Sequence, residues 1–294
     1  MAHAFRLTLG VVSLLATGRF VSRRLSVSRD VPPETEFEYR ETTFPSTDGL
    51  SLDAWWVPEA GSSRAAVLVH GRGDSKSSAY VLQTAPVYIR AGFNVLMIDL
   101  RGGTCSKRRF GTAGYQESRD VLGALRWLEE RGFDTKEVVL HGWSTGAAAV
   151  VRAAPRTGVA AVVAEGGHAD LPLLLGSLIP GKRGPSIPLS YTALLAARLL
   201  GVEFDPFDLR PRQDAARLHE EGVPLLIIHS RDDGVVPFEH ARLLAEAHPS
   251  AVLWGIEGYA HTAAYSHPEY RQRLSGFLPE ATCRGSQDEP IASR

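Results

Sequence analysis

The serine in Gly142-Trp143-Ser144-Thr145-Gly146 stands between two glycines at the spacing of a nucleophilic turn. The mostly apolar segment Glu137 to His141 precedes it, as expected of a buried strand, and Ala147-Ala148-Ala149 after it favours a closely packed helix. In a strand-turn-helix unit of this kind, a strained turn exposes the serine hydroxyl, and the glycines let neighbouring backbone pass close by. We therefore predict that Ser144 is a nucleophile.

A serine hydroxyl is a weak nucleophile until a histidine, itself oriented by a carboxylate, takes its proton. Asp232 and Asp233 follow the apolar run Leu225 to Ser230, and both are candidates for the acid. His261 follows the run Ala251 to Ile256 and is the predicted base. The chain order of serine, acid and histidine matches one of the orders in which such triads occur.

Other histidines are weaker candidates for the base. His229 lies inside a predicted strand and is expected to be packed there. His240 and His248 fall in a helical stretch and His267 precedes a proline, positions typical of capping or surface residues. His168 opens a long interval between two predicted strands. We interpret it as a residue that binds substrate, with an ordinary loop residue as the alternative.

Acyl transfer also needs hydrogen-bond donors for the tetrahedral oxyanion. The glycines of His70-Gly71-Arg72-Gly73-Asp74, which follow an apolar run, allow backbone to approach a substrate closely. We assign the donors to the backbone N–H groups of Arg72 and Thr145, and we expect Gly71 and Trp143 to contact the substrate. The Arg72 side chain is expected to face solvent or to meet an anionic group.

Short apolar runs alternate with segments of helical spacing, which argues for a mostly parallel sheet with helices on both faces. The first two runs, Phe37 to Phe44 and Leu50 to Val57, flank the turn Ser46 to Gly49 and predict an antiparallel hairpin. The other predicted strands are Ala65 to His70, Asn94 to Asp99, Glu137 to His141, Ala160 to Glu165, Leu225 to Ser230 and Ala251 to Ile256. The predicted helices are Glu117 to Glu130, Thr145 to Ala154, Phe238 to His248 and Pro268 to Phe277. The fold class is therefore α/β, with about eight strands.

One α/β domain is expected over residues 31–280. The interval of about 168–214 is too long for a loop, and its leucines and prolines predict a small helical cap inserted into the domain. Residues 281–294 are polar and aperiodic and predict a disordered tail.

Residues 1–30 form a separate hydrophobic and basic segment, since residues 1–29 contain no acid and Leu7 to Gly18 is uncharged and mostly apolar. We favour membrane association through residues 7–21. A cleaved signal peptide and a packed helix of a cytoplasmic protein are the alternatives.

Charge and cysteine content narrow the function classes. The chain has 32 basic and 33 acidic side chains, so it has no strong field to attract nucleic acid. Its two cysteines, Cys105 and Cys283, give neither a disulfide scaffold nor metal-ligand spacing. We expect no metal, no other cofactor and no nucleic-acid partner, while the oligomeric state is left open.

Taken together, HGRGD, DLRG, GWSTG, DDGVVP and GYAH resemble the α/β-hydrolase superfamily, in particular its serine aminopeptidase-like and Bem46-like bacterial members, over about residues 37–277. The resemblance implies the α/β-hydrolase fold and selects Asp233 as the acid, with Ser230 where the family pattern has glycine. Residues 101–109 depart from the usual Arg-Gly-His-Gly-x-Ser, so the resemblance does not extend to this loop.

The predicted function is that of a serine hydrolase that acts through an acyl-enzyme on a carboxylic ester or a related small-molecule acyl substrate. A serine peptidase or amidase with the same triad is the nearest alternative. An acyltransferase, and a non-catalytic relative that only binds a ligand, are further alternatives.

The membrane hypothesis predicts that deletion of residues 1–29 moves the protein from the membrane fraction to the soluble fraction, because it removes the apolar run and its flanking arginines. Cell fractionation with immunoblotting measures this. Full-length protein recovered in the soluble fraction would contradict the hypothesis.

Overall fold

Eight strands form one sheet in the computed structural model, which describes residues 35–103, 111–177 and 208–282. The order across the sheet is β1-β2-β4-β3-β5-β6-β7-β8. Strands β3 to β8 are parallel to one another, while β1 and β2 pair antiparallel with each other and β2 pairs antiparallel with β4. The strands are β1 (Arg40–Pro45), β2 (Ser51–Val57), β3 (Ala65–Val69), β4 (Asn94–Ile98), β5 (Val138–Trp143), β6 (Ala161–Glu165), β7 (Leu225–Ser230) and β8 (Val252–Ile256).

The described residues contain seven α-helices: α1 (Ala79–Arg90), α2 (Glu117–Glu129), α3 (Thr145–Ala153), α4 (Leu171–Ser177), α5 (Pro211–Glu220), α6 (Glu239–Ala247) and α7 (Tyr270–Thr282). Helices α2, α3, α5 and α6 pack on one face of the sheet, and α1 and α7 pack on the other. Successive residues of β3 point alternately into the two cores, so both faces of the strand are buried and its sequence is continuously apolar.

The predicted α/β-hydrolase fold, with a mostly parallel sheet and an antiparallel start, is confirmed. Two details differ. Strand β5 continues through Trp143, and helix α1 was not predicted because Pro86 interrupts its pattern. Helix α7 runs to Thr282, so it includes the first two residues of the predicted tail.

Several predictions fall outside the described residues. They are the N-terminal segment, most of the loop 101–109, most of the cap and the tail beyond Thr282. No helix in the described ranges is both long and apolar enough to cross a membrane.

The two ends of the cap interval lie side by side. The N–H of Leu171 donates to Leu209 O at 3.2 Å, and the N–H of Arg212 donates to Ala169 O at 2.9 Å. The Arg212 guanidinium lies 3.4 Å from Asp170, which pairs the two ends a third time. The chain therefore leaves the sheet after β6 and returns to the same point before α5.

Arg101 anchors the start of the loop that departs from the family pattern. Its side chain is almost fully buried and donates to Asp120 in α2 and to Asp48 in the β1–β2 turn, both at 2.7 Å. A third contact joins it to Ser46 at 2.8 Å. Because a buried charge is costly unless it is paired, these partners let Arg101 join β4, α2 and the hairpin.

Because α2 packs tightly on β1, we predict that alanine at Gly123 destabilises the protein, although alanine usually stabilises a helix. A Cβ at this position would lie 2.3 Å from Pro45 O, so Gly123→Ala should lower the free energy of unfolding by about 1–3 kcal/mol. Gly276 in α7 has open space around its Cα, so Gly276→Ala should instead stabilise by up to about 1 kcal/mol. Urea unfolding of both variants measures the difference, and stabilisation by both would contradict the packing.

Candidate active site

Ser144 stands between β5 and α3 with φ 54° and ψ −115°, a backbone conformation that is rare for any residue other than glycine. Its N–H donates to Glu165 O at the end of β6, at 2.8 Å. The turn therefore holds the serine at the carboxyl edge of the sheet, where ligands bind in open α/β sheets.

The two flanking glycines are required by close backbone contacts. A Cβ on Gly142 would lie 2.3 Å from Gly146 O, and a Cβ on Gly146 would lie 2.1 Å from Val69 O. These contacts are too short for any side chain, so the turn can form only with glycine at both positions.

His261 and Asp233, which lie on different loops, are hydrogen-bonded to each other. The Nδ1–H of His261 donates to Asp233 Oδ2 at 2.6 Å, and the Asp233 side chain is only 1% exposed. The other oxygen, Oδ1, accepts the N–H groups of Val235 and Val236 at 2.8 and 2.9 Å. The carboxylate is thus oriented by its own loop, and it orients the imidazole.

His229 is a second histidine at the same carboxylate. Its Nε2 lies 2.8 Å from Val236 O, to which it donates, and 3.4 Å from Asp233 Oδ2. Burial alone would raise the pKa of Asp233, but the hydrogen bonds from His229 and His261 hold it well below its usual range. The sequence prediction of a packed histidine missed this contact, since it depends on the loop folding back onto the strand.

Asp232 has a different partner. Its Oδ2 accepts the N–H of Gly258 at 2.7 Å, on the loop that carries His261. Ser230 adds a second link, because its hydroxyl donates to Tyr259 O at 2.5 Å. The serine that replaces the family's glycine therefore helps to hold the acid loop and the histidine loop together.

Two glycines bring the backbone close to the serine and the histidine. Gly166 follows β6 with φ 62°, and a Cβ on it would lie 3.1 Å from His261 Cε1. A Cβ on Gly71 would lie 3.3 Å from Ser144 Cβ. Hydrogen bonds among the described residues join His261 to Asp233 but not to Ser144. Catalytic hydrogen bonds of this kind are often long until substrate binds.

The loop after β3 runs beside the serine and is held by His70. Burial lowers the pKa of the His70 imidazole, so the ring is neutral. Its Nε2 accepts the N–H of Leu100 at 3.0 Å, and its protonated Nδ1 donates to Gly71 O at 2.6 Å. The N–H of Thr145 belongs to the first turn of α3, where N–H groups lack a partner within the helix.

Trp143 does not reach the surface, contrary to the prediction that it contacts substrate. The side chain is fully buried, stacks on His141 with ring centroids 4.0 Å apart, and donates from Nε1 to Glu165 Oε2 at 2.9 Å. Because β5 continues through Trp143, the indole points into the core beneath the turn and supports it.

His168 is also almost fully buried, and burial, with a smaller effect of His240, lowers its pKa to about 3. Its Nε2 has no hydrogen-bond partner within the described part of the chain. His240 and His248 are both buried, so the surface alternative is wrong for them, whereas the capping alternative is confirmed for His248, which is the C-cap residue of α6. His240 accepts the N–H of Ala169, and His248 bonds to Val223 O.

No group of three or more His, Cys, Asp or Glu side chains in the described ranges could hold a metal ion.

A family model described as "Alpha/beta hydrolase family" matches residues 66–270, more than half of the chain. The chain belongs to this family. The matched region includes the serine turn and the loops of Asp233 and His261. Relatives of this chain include the uncharacterized protein YfhR of Escherichia coli O157:H7. The two are 26% identical over 249 residues, which cover 81% of this chain and 80% of YfhR.

Solved structures of other proteins share the fold. The Pyrococcus furiosus esterase Pf2001 superposes with a TM-score of 0.67 at 21% identity, over 84% of this chain and 93% of the esterase. A puromycin-hydrolyzing peptidase of Mycobacterium tuberculosis superposes with a TM-score of 0.63 at 20% identity, over 83% of this chain and 40% of the peptidase. Esterases and peptidases are thus both built on this fold.

The two neighbouring aspartates predict different mutant phenotypes. Asp233→Asn should lower kcat/KM by about 10⁴-fold, because the amide oxygen would keep accepting the N–H groups of Val235 and Val236, so that the NH2 group faces His261 Nδ1 and favours the wrong tautomer. Asp232→Asn is the matched control. Its amide oxygen can still accept the N–H of Gly258, so the loss should stay below about threefold. Equal losses in steady-state kinetics would contradict the assignment of Asp233.

Proposed function

We propose that this protein is a serine hydrolase that cleaves a carboxylic ester or a related small-molecule acyl substrate through an acyl-enzyme. The observation that carries the proposal is the 2.6 Å hydrogen bond between His261 and the buried Asp233, at the same sheet edge as the strained Ser144 turn. Membership of the alpha/beta hydrolase family supports it.

In the proposed mechanism, Ser144 Oγ attacks the carbonyl carbon of the substrate while His261 Nε2 takes the hydroxyl proton. Asp233 keeps the other ring nitrogen protonated and stabilises the imidazolium that forms. The negative oxygen of the tetrahedral intermediate accepts hydrogen bonds from the N–H groups of Arg72 and Thr145. His261 then returns the proton to the leaving group, and water, activated in the same way, releases the acid and restores Ser144.

An ester is favoured over a peptide because the cap interval is rich in leucine, which suits an apolar acyl or aromatic group. The alternative is a peptidase or amidase, and the fold shared with the puromycin-hydrolyzing peptidase supports keeping it. The two reactions need the same nucleophile, base and oxyanion donors, so only the substrate distinguishes them.

Purified protein should hydrolyse p-nitrophenyl acyl esters faster than aminoacyl p-nitroanilides, and an acyl-length series should show a preferred chain. Ser144→Ala should lower kcat by up to about 10⁶-fold. Ser275→Ala in α7 is the matched control, because its exposed hydroxyl bonds only to Gln272 O among the described residues, and it should have little effect.

Faster cleavage of the anilides would favour the peptidase. A fluorophosphonate probe should label the wild-type protein and the Ser275→Ala variant but not Ser144→Ala. Failure to label the wild type, together with no turnover of either substrate class, would overturn the proposed function and favour a non-catalytic relative.

A further inference from the structure

The direction of the Arg72 N–H depends on the backbone of Gly71. Glycine has the greatest conformational freedom of any residue, so a donor that follows it points in a fixed direction only if the glycine is held from outside. Gly71 is buried and packs against the nucleophile, since a Cβ on it would lie 3.3 Å from Ser144 Cβ. Something must therefore fix both of its peptide groups.

One of these peptide groups is held by Tyr80, the second residue of α1. The N–H of Gly71 donates to the Tyr80 hydroxyl at 2.9 Å, and that hydroxyl donates to Asp74 Oδ2 at 2.6 Å. A tyrosine hydroxyl can accept and donate at the same time, so the two bonds are compatible. Burial and, less strongly, the Asp74 carboxylate raise the pKa of Tyr80, so the hydroxyl keeps its proton.

The other peptide group is held by His70, whose Nδ1 donates to Gly71 O at 2.6 Å. In a trans peptide the C=O of Gly71 and the N–H of Arg72 point in opposite directions, so fixing the carbonyl directs the N–H. With Tyr80 on the preceding N–H and His70 on the following C=O, both backbone dihedrals of Gly71 are restrained.

The Tyr80 ring also lies beside the nucleophile turn, with its centroid 5.2 Å from that of Trp143. The aromatic pair supports both sides of the site, because Trp143 precedes Ser144 and Tyr80 contacts the loop of Arg72. The hydroxyl is therefore held at a fixed position relative to the serine.

We infer that Tyr80 is a positioning residue for acyl transfer: its hydroxyl, held by Asp74, fixes Gly71 so that the N–H of Arg72 points at the developing oxyanion. The inference rests on the proposed function and assigns a residue to its oxyanion site. Tyr80 itself touches no reacting atom. It also explains why Gly71 cannot serve as a donor, since its own N–H is already bound to Tyr80.

Tyr80→Phe tests this, since it removes both hydrogen bonds and keeps the ring against Trp143. Loss of an oxyanion donor lowers kcat by about 10² to 10³-fold, and here the donor remains but is less well oriented, so we expect a loss of about 10- to 100-fold. KM should change by less than about twofold, and a trifluoromethyl ketone inhibitor should bind more weakly by the same factor as kcat/KM falls.

Tyr88→Phe is the matched control. Tyr88 lies on the same helix, is also buried and bonds through its hydroxyl to His141 Nδ1 at 3.0 Å. Removal of this hydroxyl should lower the melting temperature by a similar amount, while kcat stays within about twofold of wild type. A second variant, Asp74→Ala, frees the Tyr80 hydroxyl without touching the core and should lower kcat by about 3- to 10-fold.

The outcomes distinguish the positioning role of Tyr80 from the proposed hydrolase activity itself. If activity is lost in Ser144→Ala but Tyr80→Phe matches Tyr88→Phe in both kcat and melting temperature, Tyr80 is only structural and the inference is overturned. If Tyr80→Phe does not fold, an unchanged kcat and unchanged inhibitor affinity in Asp74→Ala would overturn it instead. Wild-type protein with no turnover and no probe labelling would overturn the proposed function and this inference together.

Discussion

The strained backbone of Ser144 is the constraint around which the sheet edge is arranged. A non-glycine residue held at positive φ costs on the order of 1–3 kcal/mol and persists only where its surroundings determine it. Here backbone atoms lie so close to Gly142 and Gly146 that neither position has room for a side chain. The carbonyl oxygen of Glu165 accepts the Ser144 N–H. The Glu165 side chain adds hydrogen bonds from Trp143 and Tyr270, so one buried residue supports the turn from both its backbone and its carboxylate.

The parallel sheet explains how residues far apart in sequence meet. Strands β5, β7 and β8 end at the same edge, so the loops that follow them carry Ser144, Asp233 and His261 to one region. Strand direction alone would leave these loops free to separate. The hydrogen bonds from Ser230 to Tyr259 and from Gly258 to Asp232 couple the acid and histidine loops, so the carboxylate and the imidazole stay in register.

The sequence was most informative where a local pattern determines the structure. Continuous apolar runs located the six strands β3 to β8, because both faces of most are buried, while the turn Ser46 to Gly49 located the hairpin and the glycine spacing located the serine turn. Contacts formed by chain reversal left no such pattern. Tyr80, which bonds to Gly71, lies on a helix whose sequence pattern is interrupted by Pro86. His229 contacts Asp233 only because the loop after β7 folds back onto the strand. Trp143 was misjudged since one extra strand residue decides which face a side chain takes.

Because the two ends of the interval after β6 are paired, their position does not depend on the length or sequence of the chain between them. Leu171 bonds to Leu209 and Arg212 bonds to Ala169, so the two ends of the interval are held together whatever the length of chain between them. Loop closure costs rise only slowly with length, so such a segment can lengthen, shorten or be replaced at small thermodynamic cost. Selection can therefore alter this segment while the residues at the sheet edge remain unchanged, and an exchange between family members could be made at these same two points.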